Sequence, residues 1–299
     1  TTHLHNLLSL DTKQFAYPNT YQVVSPNTFL STERVCTRLF SWLVPKKRPM
    51  DNMALSFAAP QEEDMGLALM CLKSVLLAVN FPRNEARYSP YMTFQGVPEE
   101  EVDEWRTAMQ WFVRKLTYKY GRAIVLKSPA NTARIALLQD LFPGARFVHI
   151  HRHPYEVFQS SRHYFNTALW YTYLQRPLDF GLIEESIIGR YTEMYDAYFA
   201  DKLHVPEGRF HEVAMHDLEA DPLGEMETLY ARLGLEGFAA LQPKLARYVD
   251  SLRGYQKNRH QELPPRIRQR IAREWQRSFE TWGYDPGVDG PQRDERKAA

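Results

Sequence analysis

The chain has 299 residues, 44% hydrophobic and 24% charged, with a net charge of +1, a globular composition long enough to bury a large core. Such a balance provides no overall field for nucleic acid or an acidic membrane, so any anion site has to be local. Two cysteines, Cys36 and Cys71, cannot make a disulfide framework, and no run approaches the roughly 20 apolar residues that cross a bilayer. A cytoplasmic location is expected.

The chain opens as Thr1-Thr2 without an initiator methionine, and Leu4, Leu7, Leu8 and Leu10 already share one side of a helix. The opening reads as the interior of a longer sequence, which leaves an upstream signal or anchor open. A proline-punctuated stretch follows, with a short helix expected around residues 27–43. "PQEEDMGLALMCLKSVLLAVNF" reads as one helix begun by Pro60, with carboxylates in the first turn where the macrodipole favours them. "PEEEVDEWRTAMQWFVRKLTYKYG" is a second helix, acidic at its start, basic at its end and closed by Gly121.

The texture then changes. "RAIVLKSP" is a β-branched run stopped by Pro129, and "NTARIALLQDLF" is an amphipathic helix with Asn131 as its cap. "ARFVHIHR" is a second strand, and "PYEVFQSSRHYF" the helix after it. Strand, helix, strand, helix at this spacing predicts an α/β fold with a parallel sheet covered by helices. A helix over 178–201, a strand in "RFHEVAMHDL" and three further helices carry the chain to "FETWGYDP". No repeat or linker interrupts it, so one domain is expected over about 1–285, with a helical insertion at about 15–120 and a disordered tail at 286–299.

"RFVHIHRHPYEVFQSSRHYF" carries the chemistry. His149 and His151 share a strand face, a spacing that metal sites use, but no Cys, Asp or Glu in the stretch completes a ligand set. Strand histidines packed beneath a helix are the plain alternative. The anion reading uses more of the pattern. Arg152 stands at the carboxyl end of a parallel strand, where open α/β sheets place ligands, and Ser160 follows about two helical turns later. A guanidinium grips phosphate bidentately and a hydroxyl completes the shell. A surface salt bridge for Arg152 and a plain helix position for Ser160 remain the competing readings.

Arg-x-Pro followed by a serine eight residues after the arginine, here "RHPYEVFQS", resembles the 3'-phosphate-binding segment of sulfotransferases. "LKSPANTARIALLQDLFPGARFVHIHRHP" resembles the Lys-Ser-Pro strand and following unit of the broad bacterial-type branch of that family. "PMDN" with "PQEED", "HDLEADPLGEMETLYARLGL" and "YQKNRH…W…FETWGYD" resemble further segments in the same order. The resemblance spans nearly the whole chain. It implies a P-loop-NTPase-like three-layer α/β fold and 3'-phosphoadenosine 5'-phosphosulfate (PAPS) as sulfuryl donor. No metal is expected. It also implies a phosphate loop of the form Arg-Ser-Gly-Thr-Thr, of which Thr1-Thr2 are the last two residues.

By that resemblance Arg152 and Ser160 hold the 3'-phosphate, with Ser161 as the adjacent alternative. Thr1, Thr2 and His3 lie at the 5'-phosphosulfate, at a helix start suited to anions. Lys127 neutralises charge as the bond breaks, and Lys257 and Asn258 close over the donor. Relatives with Lys-Thr-His use histidine as base; here the strand reads Lys127-Ser128-Pro129, so a carboxylate is needed. Glu62 is the first candidate, followed by Glu63 and Asp51, with His3 or a strand histidine as the other option. Acids in a helix's first turn also stabilise it without any chemistry.

The expected acceptor is a hydroxyl or amine of a small molecule, lipid or carbohydrate, received among aromatics such as Phe57, Trp105, Trp111, Trp170 and Tyr171. Nucleic acid is not an expected partner, and oligomeric state is open. Two other classes compete: a P-loop-type nucleotide kinase, which would require Mg²⁺, and a non-catalytic nucleotide-binding relic of the fold.

Overall fold

The structure is a computed structural model that describes residues 1–43, 56–167, 172–176, 182–254 and 262–287. Helix α1 (Thr2–Ser9) buries Leu4, Leu7 and Leu8, as their spacing dictates. A two-residue strand, β1 (Phe15–Ala16), follows inside the stretch expected as a helical insertion. Helix α2 (Thr20–Val24) is started by a reciprocal Asn19–Gln22 capping box, and α3 (Phe29–Phe40) falls inside the expected span.

The single helix expected from Pro60 is two helices. The first, α4 (Glu63–Cys71), starts after Pro60 and stops at Leu72, whose φ of 61° is left-handed. The chain restarts as α5 (Leu76–Asn80). Ser74 explains the break: its hydroxyl accepts from the Leu76 amide at 3.1 Å and donates to Asp64 Oδ2 at 2.5 Å. That local bonding gives the backbone an alternative to continuing the helix. After the short α6 (Glu85–Tyr88) comes α7 (Glu99–Tyr120), closed by left-handed Gly121 as expected.

Strand β2 (Ala123–Ile124) leads through a 3-10 turn, Pro129–Ala133, to α8 (Ile135–Leu141). Asn131 therefore does not cap the helix. Arg134 occupies the cap position, and the Asn131 amide instead donates to Glu63 Oε1 at 2.6 Å. Next come β3 (Phe147–His151), α9 (Pro154–Thr167), α10 (Ile183–Asp201) and β4 (Phe210–Ala214). The expected three closing helices are five among the described residues: α11 (Met215–Ala220), α12 (Pro222–Arg232), α13 (Phe238–Ser251), α14 (Pro265–Glu274) and α15 (Gln276–Trp282).

All the strand pairing in these named strands is parallel: β1 with β2, and β3 with β4 in the register Phe147↔Phe210 to His151↔Ala214. Successive side chains of β3 serve opposite layers, as a strand's pleat requires. Val148 and Ile150 pack with α1, α12 and α13, whereas Phe147 packs toward α7–α10. His149 and His151 lie against Trp282 of α15. Helices thus cover both faces of the strands, the three-layer α/β arrangement that the strand–helix alternation predicts. An apolar cavity of about 580 Å³ lies between the β1–β2 and β3–β4 pairs, lined by Leu4, Leu8, Leu126, Val148 and Ile150, with Thr1, His5 and Lys127 as polar lining.

Candidate active site

Three consecutive carboxylates open α4, and burial gives each a different task. Asp64 is 2% exposed and bonds the guanidinium of Arg134 at 2.7 Å. Arg134 also donates to the carbonyls of Tyr91 and Met92, so this buried pair is fully engaged and ties the insertion to the 3-10 turn. Glu63 is fully buried, and its Oε2 accepts the Lys127 backbone amide at 2.9 Å. Burial raises its pKa, partly opposed by the Asn131 bond. Glu62 alone keeps access to solvent. Its Oε1 lies 2.5 Å from Lys127 Nζ, the two side chains being 22% and 13% exposed. Lys127 is thus held twice, by backbone and by side chain, to consecutive residues of one helix start.

Arg152 follows β3 directly, and Pro154 begins α9, where its missing amide costs nothing. Arg152 Nε donates to Glu156 Oε2 at 2.6 Å, an i,i+4 pair with side chains 36% and 28% exposed. Its Nη groups have no bonded partner among the described residues, which leaves one edge of the fork open to a ligand. Ser160 lies one turn past Glu156 on the same side of α9, half-buried, with Ser161 half-buried beside it.

Thr1 links the two ends. The charges that bear on its backbone nitrogen are those of Lys127, Arg152, Glu62 and Glu219. Thr1, Lys127, Arg152 and Glu62, drawn from four separate stretches, therefore share one electrostatic neighbourhood. Thr2 begins α1, and the His3 ring stacks near Tyr248 at 6.2 Å between centroids. Lys257, Asn258 and Asp51 lie outside the described residues, as do Trp170 and Tyr171.

The strand histidines are aromatic-core residues. His149 packs on Tyr198 at 4.2 Å, and His151 stacks on Trp282 at 4.9 Å with its Nδ1 2.8 Å from the Tyr284 hydroxyl. Burial pushes His149 down to about 3, so its imidazole holds a proton too weakly to serve as the base. His153 turns away to Tyr155 and the Asp285 carbonyl. Among the described residues, no group of three or more His, Cys, Asp or Glu is arranged to hold a metal. Of the aromatics expected around an acceptor, Trp105 is fully buried core, Trp111 is 54% exposed, and Phe57 packs on Tyr21.

Two further residues at the site have a sequence signal too weak to single them out. Glu156 is readable only as an acid four positions after Arg152. His5, 2% exposed, has an Nε2 without a hydrogen bond, lines the cavity beside Lys127, and is pushed down to about 3 by burial.

A parallel three-layer fold with basic side chains gathered at strand ends is the ground plan of an anion-handling α/β enzyme, and the comparisons name its class. The chain belongs to the sulfotransferase family, whose model matches residues 1–240. It is a transferase that moves a sulfuryl group, and it takes that group from a sulfate donor. It is 32% identical over 293 residues, covering 98% of this chain and 74% of the relative, to omega-hydroxy-beta-dihydromenaquinone-9 sulfotransferase Stf3 of Mycobacterium bovis, and equally to that of Mycobacterium tuberculosis. Its fold matches sulfotransferase STF9 of Mycobacterium avium with a TM-score of 0.76 at 16% identity, over 97% of this chain and 75% of that one. Sulfotransferase STF1 of Mycobacterium tuberculosis gives 0.63 at 18% identity, over 91% and 73%. The family assignment decides against the kinase reading.

Proposed function

We propose that this sulfotransferase draws its sulfuryl group from PAPS and passes it to a hydroxyl on a lipid-class small molecule. The donor half of the proposal rests chiefly on the convergence of Thr1, Lys127, Arg152 and Glu62 around one spot. Arg152 presents its open Nη edge to the 3'-phosphate, and Ser160 donates its hydroxyl from one turn beyond Glu156. Thr1, Thr2 and His3 lie at the phosphosulfate end, with Lys257 and Asn258 proposed to close over it. The acceptor half rests on the relative that acts on omega-hydroxy-beta-dihydromenaquinone-9.

Glu62 takes the proton from the acceptor hydroxyl as that oxygen bonds to sulfur. The bond from sulfur to the 5'-phosphate oxygen breaks, and its electron pair leaves with adenosine 3',5'-bisphosphate. Lys127 sits where that oxygen gains charge, and a fixed cation in a water-poor site stabilises the transition state more than the ground state. The Glu62–Lys127 contact keeps both groups oriented beforehand, and neither Glu63 nor Asp64 can compete as base because other bonds occupy them.

The test compares adenosine 3',5'-bisphosphate with adenosine 5'-phosphate by calorimetry. The bisphosphate should bind more tightly, and Arg152→Ala should remove about 1.5–3 kcal/mol of that preference, the range for hydrogen bonds to a charged group. Equal affinity for the two nucleotides, or sulfate transfer from PAPS that stops when Mg²⁺ is chelated, would overturn the reading.

A further inference from the structure

We propose that the outward face of α3 docks on an anionic lipid bilayer. The helix has two faces of opposite character. Inward, Phe29 is fully buried, Thr32 accepts from the Tyr21 hydroxyl at 2.8 Å, and Glu33 is taken up by Asn19, Gln22 and Lys119. Outward, Val35 is 57% exposed, Leu39 59% and Trp42, in the turn after the helix, 77%. Their spacing of four and three residues makes one continuous stripe along the helix. Leu30 and Phe40, each 45% exposed, lie elsewhere around the helix and are not part of this stripe.

Single exposed apolar side chains need no explanation, but a contiguous row of large ones does. Charge identifies the occupant. Arg34 and Arg38 lie along the stripe, exposed, and neither is held by a hydrogen bond or ion pair among the described residues. The only acid between Phe29 and Trp42 is Glu33, which is turned inward and paired. Apolar stripe, arginine flank, no outward acid and a terminal tryptophan together are the pattern of a helix lying in the plane of a membrane interface, its apolar face sunk among acyl chains and its guanidinium groups on lipid phosphates. A chain with a net charge of +1 has no general attraction to such a surface, so the attraction resides in this face.

The helix is also close in connectivity to the site. Its Glu33 bonds the cap residues of α2, and that segment pairs with residues 57–61 through Gln61 N to Pro18 O at 2.9 Å, immediately before Glu62. A docked α3 would bring Glu62 near the bilayer from which a lipid-class hydroxyl is drawn. That use depends on the proposed function; the docking itself does not.

Sedimentation with vesicles tests it. The protein should pellet with phosphatidylcholine–phosphatidylglycerol vesicles at least about tenfold more strongly than with phosphatidylcholine alone. Val35→Ser/Leu39→Ser/Trp42→Ser and Arg34→Glu/Arg38→Glu should each lose most of that binding while keeping their melting curves and bisphosphate affinity. Trp42 emission, taken as the difference from Trp42→Phe, should move to the blue on adding the mixed vesicles. A wild-type chain that ignores both vesicle types would overturn the proposal, as would folded variants that pellet undiminished or a concentration-dependent dimer that buries Trp42 without lipid. If the protein docks but turns over no lipid-class hydroxyl presented in the vesicle, the docking stands and the acceptor reading falls.

Discussion

The two ends of the site are built in opposite ways. At the α9 end, Arg152, Glu156 and Ser160 come from one strand-to-helix junction, partly exposed, and one i,i+4 bond orders them. At the α4 end, Glu62 and Lys127 are 65 residues apart and are brought together by buried Glu63, Asp64 and Arg134 with half-buried Asn131. Gripping a phosphate tolerates a side chain that adjusts on binding, whereas proton removal and charge neutralisation depend on placement to a fraction of an ångström. On the proposed roles, rigidity is concentrated where geometry governs rate.

Glu62→Gln offers the largest way to break that contrast. It should lower turnover by about 10²–10⁴, the usual worth of a positioned base, with bisphosphate affinity unchanged by calorimetry. A variant that turns over normally would move the base elsewhere. Arg134→Ala strikes the scaffold without touching the site. It leaves Asp64 buried beside no cation and should cost about 3–5 kcal/mol in a denaturant melt; a loss below about 1 kcal/mol would show that the buried pair is not what holds this end.

A smaller effect sharpens the other side. Glu156→Ala frees Arg152 Nε and should weaken bisphosphate binding by no more than about 1 kcal/mol, as expected of a half-exposed pair, and Glu156→Gln, which keeps an acceptor there, should restore part of it. The smallest signal is a slope with pH. Burial raises the folded-state pKa of Glu63 above its unfolded value, so the folded chain holds that proton more firmly. This group's contribution to stability is present below the ordinary glutamate range and declines as pH climbs through the raised value. Glu63→Gln should flatten that part of the stability profile measured by melts across pH.

The same division governs what could be read from the residues alone. The strand-to-helix junction in "RHPYEVFQS" was legible, with Arg152 before the helix and Ser160 two turns on, because strand and helix periods are local. The three-layer alternation of strands and helices was legible too, whereas the strand expected to reach Lys127 ends at Ile124, three residues before it. "EED" was not, since three adjacent acids look alike until burial assigns Glu63 and Asp64 to structure and leaves Glu62 accessible. β1 escaped notice because two residues, Phe15 and Ala16, carry no periodicity. The break at Leu72 has no Gly or Pro to mark it; its only trace is Ser74, a cap that matters because Asp64 folds back to meet it. Asn131 had the chemistry of a cap but found a stronger use on Glu63.

Lys127 is fastened by its amide to Glu63 and by its ammonium to Glu62. If α4 shifts as an acceptor enters, the lysine travels with it, and the spacing between the two charged groups is insulated from breathing in the helices beyond. Those outer helices can then diverge, lengthen or be exchanged to welcome a different acceptor while the proposed reacting pair keeps its setting. One doubly tethered residue would let chemistry and substrate range evolve on separate schedules.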